Sequence, residues 1–130
     1  MLDVLAWICL ENQQLLCTRT KGNAVFYLLG GKREAGESDW EALRREVYEE
    51  LDIHLMEATL TPVVTVQAIA HGYADFVQVR MKCFQASYRG EIAPSSEIAE
   101  IAWLNYGDRS KCAPAAQLVL DHLHSLKWLG

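Results

Sequence analysis

Residues Gly31 to Ile53 read GKREAGESDWEALRREVYEELDI, a glycine-rich loop running into a helix that carries more carboxylates than an ordinary surface helix needs. Ser38-Asp39-Trp40-Glu41 has the S-x-x-E form of a capping box, which makes Ser38 the N-cap and Glu41 its reciprocal partner. Beyond that start, Trp40, Leu43, Val47 and Leu51 recur at spacings of three and four, an apolar stripe that faces a core. Glu46, Glu49 and Glu50 fall between them, and their spacing gathers all three on a neighbouring face. Like charges one turn apart repel by a few tenths of a kcal/mol per pair on an isolated helix. Either they point into water, softened by Arg44 and Arg45, or they meet a hard divalent cation, since Mg2+ and Mn2+ prefer oxygen ligands.

The residues before the helix favour the cation. Gly30-Gly31 and Gly36 bracket Lys32 to Ala35, so the chain can turn there and bring backbone groups close to a ligand. The order Gly31, five residues, Glu37, seven residues, Arg45-Glu46-Val47-Tyr48-Glu49-Glu50-Leu51-Asp52-Ile53 resembles the Nudix box, G-x5-E-x7-R-E-U-x-E-E-x-G-U, with U an aliphatic residue. One defined position departs: Asp52 stands where the family has glycine, at the point where the helix should end in a left-handed turn. Aspartate tolerates that conformation better than most residues and less well than glycine. Leu28-Leu29-Gly30-Gly31 is similar to the family's common L-P-G-G, with Leu29 in place of proline.

At 130 residues the chain has the size of a single domain, 1–130, able to bury a core without disulfides. It is 51% hydrophobic and 22% charged, a globular composition. The net charge of -5 argues against binding polymeric nucleic acid, whose backbone is gripped by an excess of Lys and Arg. No apolar run reaches the length of a membrane span and no basic leader precedes the first strand, so a cytoplasmic protein with no membrane partner is expected. Cys9, Cys17, Cys83 and Cys112 form no C-x-x-C pair, and the four histidines lack zinc spacing; reduced, buried thiols are expected.

Along the chain, Leu2 to Leu10 and Gln14 to Arg19 read as a hairpin about Glu11-Asn12-Gln13, and Val25 to Leu29 as a short strand leading into the glycine loop. Phe26 and Tyr27 read as sheet packing more than base stacking, with one of the pair facing away from the side the other buries. Ala58 to Ala70 and Ala74 to Tyr88 form a long hairpin about His71-Gly72-Tyr73. In its second arm Gln78, Arg80 and Lys82 share one face, which either contacts phosphate or carries ordinary sheet charges. Arg19 and Lys21 face the same choice between phosphate and solvent. Ile98 to Leu104 reads as a closing strand, and Ala115 to Leu129 as an amphipathic closing helix. Strands before and after a central helix, with a second helix at the end, fit an α/β/α sandwich around a mixed β-sheet.

The Nudix resemblance implies that same sandwich, and with it metal-dependent hydrolysis of a nucleoside diphosphate linked to another moiety. It assigns Glu46, Glu49, Glu50 and the Gly30 carbonyl to Mg2+ or Mn2+, with Glu37, Arg45 and Gly31 supporting them. Glu97-Ile98-Ala99-Glu100-Ile101-Ala102-Trp103 is similar to the family's E-I-x-E followed by a tryptophan strand. Glu97 is the first candidate for general base, Glu46 the second, and Glu91 or Glu100 follow if the loop aligns differently. Arg19, Lys21 and Arg80 are the candidate substrate contacts. A non-catalytic nucleotide-binding module is the alternative reading, and a homodimer is compatible with the resemblance.

Overall fold

Leu5 and Trp7 of the first strand pack into one apolar cluster, while Val4 and Ala6 pack into a second on the opposite side. That strand, β1 (Leu2–Trp7), is covered on both faces, so its sequence is an apolar run with little alternation. These relationships come from a computed structural model describing residues 1–130. The strands that follow are β2 (Leu10–Glu11), β3 (Gln14–Thr20) and β4 (Tyr27–Lys32). Helix α1 (Asp39–Leu51) comes next, then β5 (His54–Leu55), β6 (Thr61–Ile69), β7 (Gln78–Gln85), β8 (Tyr88–Arg89), β9 (Ile98–Leu104) and helix α2 (Pro114–Ser125).

The main sheet has seven strands in the order β2-β3-β4-β1-β7-β6, with β9 paired to β3. Only β1 and β7 run parallel, so the sheet is mixed; β5 and β8 form a separate two-stranded ribbon. Helix α1 covers one face through Ala42, Leu43, Val47 and Leu51 against Leu5, Trp7, Leu29 and Phe84. Helix α2 covers the other through Ala115, Ala116, Val119, Leu120 and Leu123 against Ala6, Leu28, Met81 and Cys83. Burying side chains of this kind is worth roughly 1.5–3 kcal/mol each for the larger ones, and both layers depend on it. The result is the expected α/β/α sandwich.

Several boundaries differ from the sequence reading: the strand expected over Leu2 to Leu10 breaks after Trp7, and the hairpin arm expected over Ala74 to Tyr88 is a strand only over Gln78–Gln85. The strand expected at Val25 to Leu29 runs instead from Tyr27 to Lys32, because Gly30, Gly31 and Lys32 pair with Ala6, Leu5 and Val4 of β1. The loop thus begins only at Arg33. The strand expected from Ala58 starts at Thr61, after a 3-10 turn over Glu57–Thr59, and the last helix stops at Ser125. Beyond it the chain doubles back: Lys127 takes a positive φ of 63°, Leu129 is buried, and the Gly130 N–H donates to the Gln13 carbonyl at 2.9 Å. All four cysteines are free and buried, and burial pushes the Cys9 thiol up to about 12 and Cys112 to about 11. No helix is long and apolar enough to cross a membrane.

Candidate active site

The capping box forms as its sequence requires. The Ser38 hydroxyl accepts from the Glu41 N–H at 3.1 Å and the Glu41 carboxylate accepts from the Ser38 N–H at 3.0 Å. At the other end Asp52 adopts φ 57°, ψ 36°, the left-handed turn anticipated there, and its N–H donates to the Tyr48 carbonyl. Between these caps Leu43, Val47 and Leu51 are fully buried and Trp40 is half-buried, so the stripe fixes the helix rotation. That rotation carries Glu46 and Glu50 toward β4.

Arg45 is the hub of the acidic face. Its Nε lies 2.7 Å from Glu37 Oε2 and its Nη2 2.9 Å from Glu37 Oε1, a fork-to-fork pair. Nη2 also donates to the Lys32 carbonyl at 3.1 Å. Nη1 reaches Glu46 Oε1 at 3.0 Å and Glu49 Oε1 at 3.3 Å. One guanidinium therefore ties the loop, the end of β4 and two helix carboxylates together. Arg33 clamps the loop from its other side, with Nε 2.9 Å from Asp3 Oδ2, Nη1 donating to the Glu37 carbonyl at 3.1 Å, and Nη2 on Asp39.

The two glycines of β4 admit close neighbours, Gly31 the Glu46 carboxylate and Gly30 the backbone of β1. A Cβ on Gly31 would stand 2.4 Å from Glu46 Cδ, and one on Gly30 would stand 2.0 Å from the Leu5 carbonyl oxygen. Glu50 is the most enclosed acid: burial pushes its carboxyl up to about 8, opposed by the Gly30 N–H that donates to Oε1 at 2.8 Å, with Glu46 and Glu49 raising it further. Burial also raises Glu46, against the pull of Arg45. Glu37 moves the other way, to about 2, because Arg45 and the Glu34 N–H bind its ionised form.

Glu46, Glu49 and Glu50, the sequence candidates for metal ligands, are each engaged by the protein itself. Nowhere do three His, Cys, Asp or Glu side chains stand together as a metal centre, because Arg45 engages Glu46 and Glu49 while Gly30 engages Glu50. The donor set nonetheless suits a hard divalent cation. Glu50 is half-buried with a single N–H for a carboxylate that can accept about four hydrogen bonds, and two further carboxylates lie within one turn of it.

Glu97 is exposed on the loop before β9, and its own carbonyl accepts from the Lys21 N–H at 2.9 Å. That loop is docked on the last turn of α1, where the Ser95 N–H donates to the Glu50 carbonyl and the Ala93 N–H to the Leu51 carbonyl, both at 2.9 Å. Glu100 pairs with Arg19 at 3.3 Å, and Glu91 is exposed.

Beside the acidic face lies a cavity of about 300 Å³. Gly30, Gly31, Lys32 and Glu50 form its wall next to the box, and apolar side chains of the sheet and the start of α2 form most of the rest. None of Arg19, Lys21 and Arg80 lines it. Arg19 is occupied by Glu100 and the Asn23 carbonyl, and Lys21 is exposed. Arg80 is exposed on the side of the sheet where Lys82 meets Asp39 at 3.7 Å, at the start of α1. The cation that does line the cavity is Lys32, joined by Tyr27, His71 and Tyr73. Sequence reasoning passed over Lys32 because it sits at an undefined position of the box, and over His71 and Tyr73 because a hairpin tip gives no periodic signal.

The NUDIX domain family model matches residues 1–129. No curated protein matches the chain. Among solved structures it is similar to the E. coli ORF135 protein, at 23% identity and a TM-score of 0.77, covering 98% of this chain and 91% of that one. It is also similar to a MutT protein from Bacillus halodurans (21%, TM-score 0.72, 95% and 82%) and a MutT NUDIX hydrolase from Burkholderia pseudomallei (19%, TM-score 0.76, 94% and 97%). At these identities the structures establish the shared fold, and the family model, which spans nearly the whole chain, establishes the rest: the protein belongs to the Nudix family, and its general activity is that of a pyrophosphohydrolase.

Proposed function

We propose that this one-domain chain hydrolyses the phosphoanhydride of a nucleoside diphosphate linked to another moiety, in a reaction dependent on Mg2+ or Mn2+. Nudix hydrolases generally use divalent metal ions and act on small nucleotide-derived substrates. The observation that carries the reading is the half-buried Glu50 carboxylate, one turn from Glu46 and beside Gly30, at the edge of a cavity. Keeping so enclosed a carboxylate ionised is costly, and a bound cation would offset that cost where otherwise the group takes up a proton.

In this reading Glu46, Glu49, Glu50 and the Gly30 carbonyl hold the ion, which when bound neutralises phosphate oxygens and lowers the pKa of the attacking water. Arg45, fixed by Glu37, positions Glu46 and Glu49, and Gly31 leaves the space in which Glu46 lies. Glu97 removes the proton from water, delivered by a loop that Ser95 ties to the Glu50 carbonyl; Glu46 is the second candidate. Lys32 meets the substrate's phosphates in place of Arg19, Lys21 and Arg80. A screen of nucleotide substrates with Mg2+ and Mn2+, run with wild type and Glu50→Gln, tests the assignment. Monophosphate release that needs the ion and falls at least about 100-fold in the variant supports it. Undiminished turnover in Glu50→Gln refutes the ligand role.

The grip of Arg45 on Glu46 and Glu49 gives some weight to a second reading, a nucleotide-binding module of the cytoplasm that does not cleave its ligand. Tight nucleotide binding with no metal-dependent turnover would establish it.

A further inference from the structure

Residues 33–38, between β4 and α1, carry Glu37 yet have few main-chain ties of their own. The Arg33 N–H donates to the Asp3 carbonyl at 3.1 Å where the segment leaves the sheet, and the Glu37 N–H donates to the Glu34 carbonyl at 3.1 Å within it. Glu34, Ala35 and Gly36 are exposed, and Gly36 turns the chain at φ 83° with open space around it. Such a segment is free to shift unless side chains fix its far end. Two arginines do so, both at Glu37: the Arg45 guanidinium binds the carboxylate, and Arg33 Nη1 donates to the carbonyl at 3.1 Å.

Arg33 joins three parts of the chain. Besides the Glu37 carbonyl it holds Asp3 of β1, Nε to Oδ2 at 2.9 Å, and through Nη2 it holds Asp39, the first residue of α1. Asp39 also lies 3.7 Å from Lys82 of β7, so the helix start is tied to both strands of the parallel pair. Three partners in three directions need a planar fork of donors, which lysine does not have. The acids stay partly in water, Asp3 at 50% and Asp39 at 36% side-chain exposure, and ion pairs so exposed add little to stability. What the contacts do supply is direction. They set where the Glu37 main chain lies relative to β1 and α1, and so where its carboxylate meets Arg45.

We propose that Arg33 is a positioning residue for the hydrolysis: it fixes the Glu37 main chain between β1 and the start of α1, holds the Glu37 carboxylate in reach of Arg45, and through Arg45 sets Glu46 and Glu49. This rests on the reading of those glutamates as metal ligands and deepens it, since position 33 is undefined in G-x5-E and nothing in the box asks for arginine there. Arg33 itself bonds to none of the helix glutamates; its effect passes through Glu37 and Arg45.

Arg33→Met keeps much of the side chain's length and removes its donors. The kcat should fall about 10-fold with KM within about twofold, the pattern of a displaced metal ligand and not of a lost substrate contact. Arg33→Lys, with a single point of charge, should remain at least about threefold below wild type, and it carries the test should Arg33→Met not fold. In Glu37→Gln, where the link to Arg45 is already weakened, adding Arg33→Met should cost less than about twofold more. A second readout needs neither metal nor turnover. By heteronuclear NMR, the Arg45 Nε–H, held 2.7 Å from Glu37 Oε2, should exchange with water at least about 10-fold faster in Arg33→Met. Arg109→Met, which removes a comparable fork on Asp121 at 2.7 and 2.9 Å, should change neither kcat nor that exchange. Unchanged Arg45 exchange, or losses in kcat that multiply in the double variant, overturn the proposal. Unchanged kcat in Arg33→Met overturns it too, while leaving the hydrolase reading intact. A wild type that cleaves no nucleotide ends the hydrolase reading, and the Arg45 exchange then still decides whether Arg33 acts on Arg45.

Discussion

Arg45 meets Glu37 through two parallel contacts, Nε to Oε2 at 2.7 Å and Nη2 to Oε1 at 2.9 Å, across eight residues of sequence. A lysine cannot form that fork, because its ammonium is a single point of charge. Arg45→Lys should therefore release Glu46 and Glu49 together and lower kcat by roughly 10- to 100-fold, the usual effect of losing a group that orients metal ligands. The fold, judged by circular dichroism, should be retained. Unchanged kcat would show that Arg45 does not position the carboxylates.

The same pair makes stability depend on pH. Arg45 lowers the Glu37 carboxyl from 4.5 in the unfolded reference to about 2 in the fold. A depressed acid contributes stability that is fully present above about 4.5 and is lost as pH falls through about 2. The difference in Tm between wild type and Glu37→Gln should accordingly be largest at pH 5 to 6 and shrink toward pH 2. A difference independent of pH would mean that packing, not charge, holds Glu37.

Gly30 and Gly31 are adjacent but should fail differently. Gly30→Ala meets the Leu5 backbone at 2.0 Å and also sits at φ 139°, so it should separate β4 from β1 and lower Tm sharply. Gly31→Ala meets only the Glu46 carboxylate, a side chain that can move. It should leave Tm nearly unchanged and reduce activity at least about 10-fold through the displaced acid. Equal loss of Tm in both variants would contradict the role of Gly31 as space for Glu46.

The helix and its caps were legible because the signals are local: Ser38 to Glu41 spans one turn, and the stripe from Leu43 to Leu51 repeats every turn. Boundaries set by distant partners were not. Gly30 to Lys32 belong to a strand only because β1 lies alongside, and nothing in Leu-Leu-Gly-Gly-Lys states that pairing. The acidic face was legible as composition, but its resting arrangement was not, since Arg45 could turn toward Glu37, Glu46 or water with no change in sequence. The cavity mouth was least legible of all. Tyr27 and Lys32 of β4 meet His71 and Tyr73 of a turn far along the chain, and an exposed tip carries no hydrophobic period.

Metal should show itself in stability before it shows in turnover. Binding to the folded state alone raises stability by mass action, about 2.7 kcal/mol at 100 times Kd. Titrating Mn2+ into the metal-free protein should raise Tm by several degrees, and Glu50→Gln should remove most of the rise by deleting the most buried ligand charge. Chelation should return wild type to its starting Tm. A rise preserved in Glu50→Gln would place the ion elsewhere.

Asp52 ends α1 in the left-handed region at φ 57°, ψ 36°, where a side chain crowds the following carbonyl and glycine does not. The conformation costs most residues roughly 1–2 kcal/mol, and aspartate somewhat less. Asp52→Gly relieves that crowding but gives the unfolded chain more freedom, which offsets part of the gain. The net should be a stabilisation of about 0.5 kcal/mol, a rise in Tm of one to a few degrees. Because the Asp52 N–H to Tyr48 carbonyl bond belongs to the backbone, it survives the change, and so does the position of Glu50 just before it in the last turn. Activity should therefore stay within about twofold of wild type. A fall in Tm would mean that the Asp52 carboxylate contributes a contact of its own, and a gain in activity without a gain in Tm would mean that strain at the helix exit reaches the acidic face.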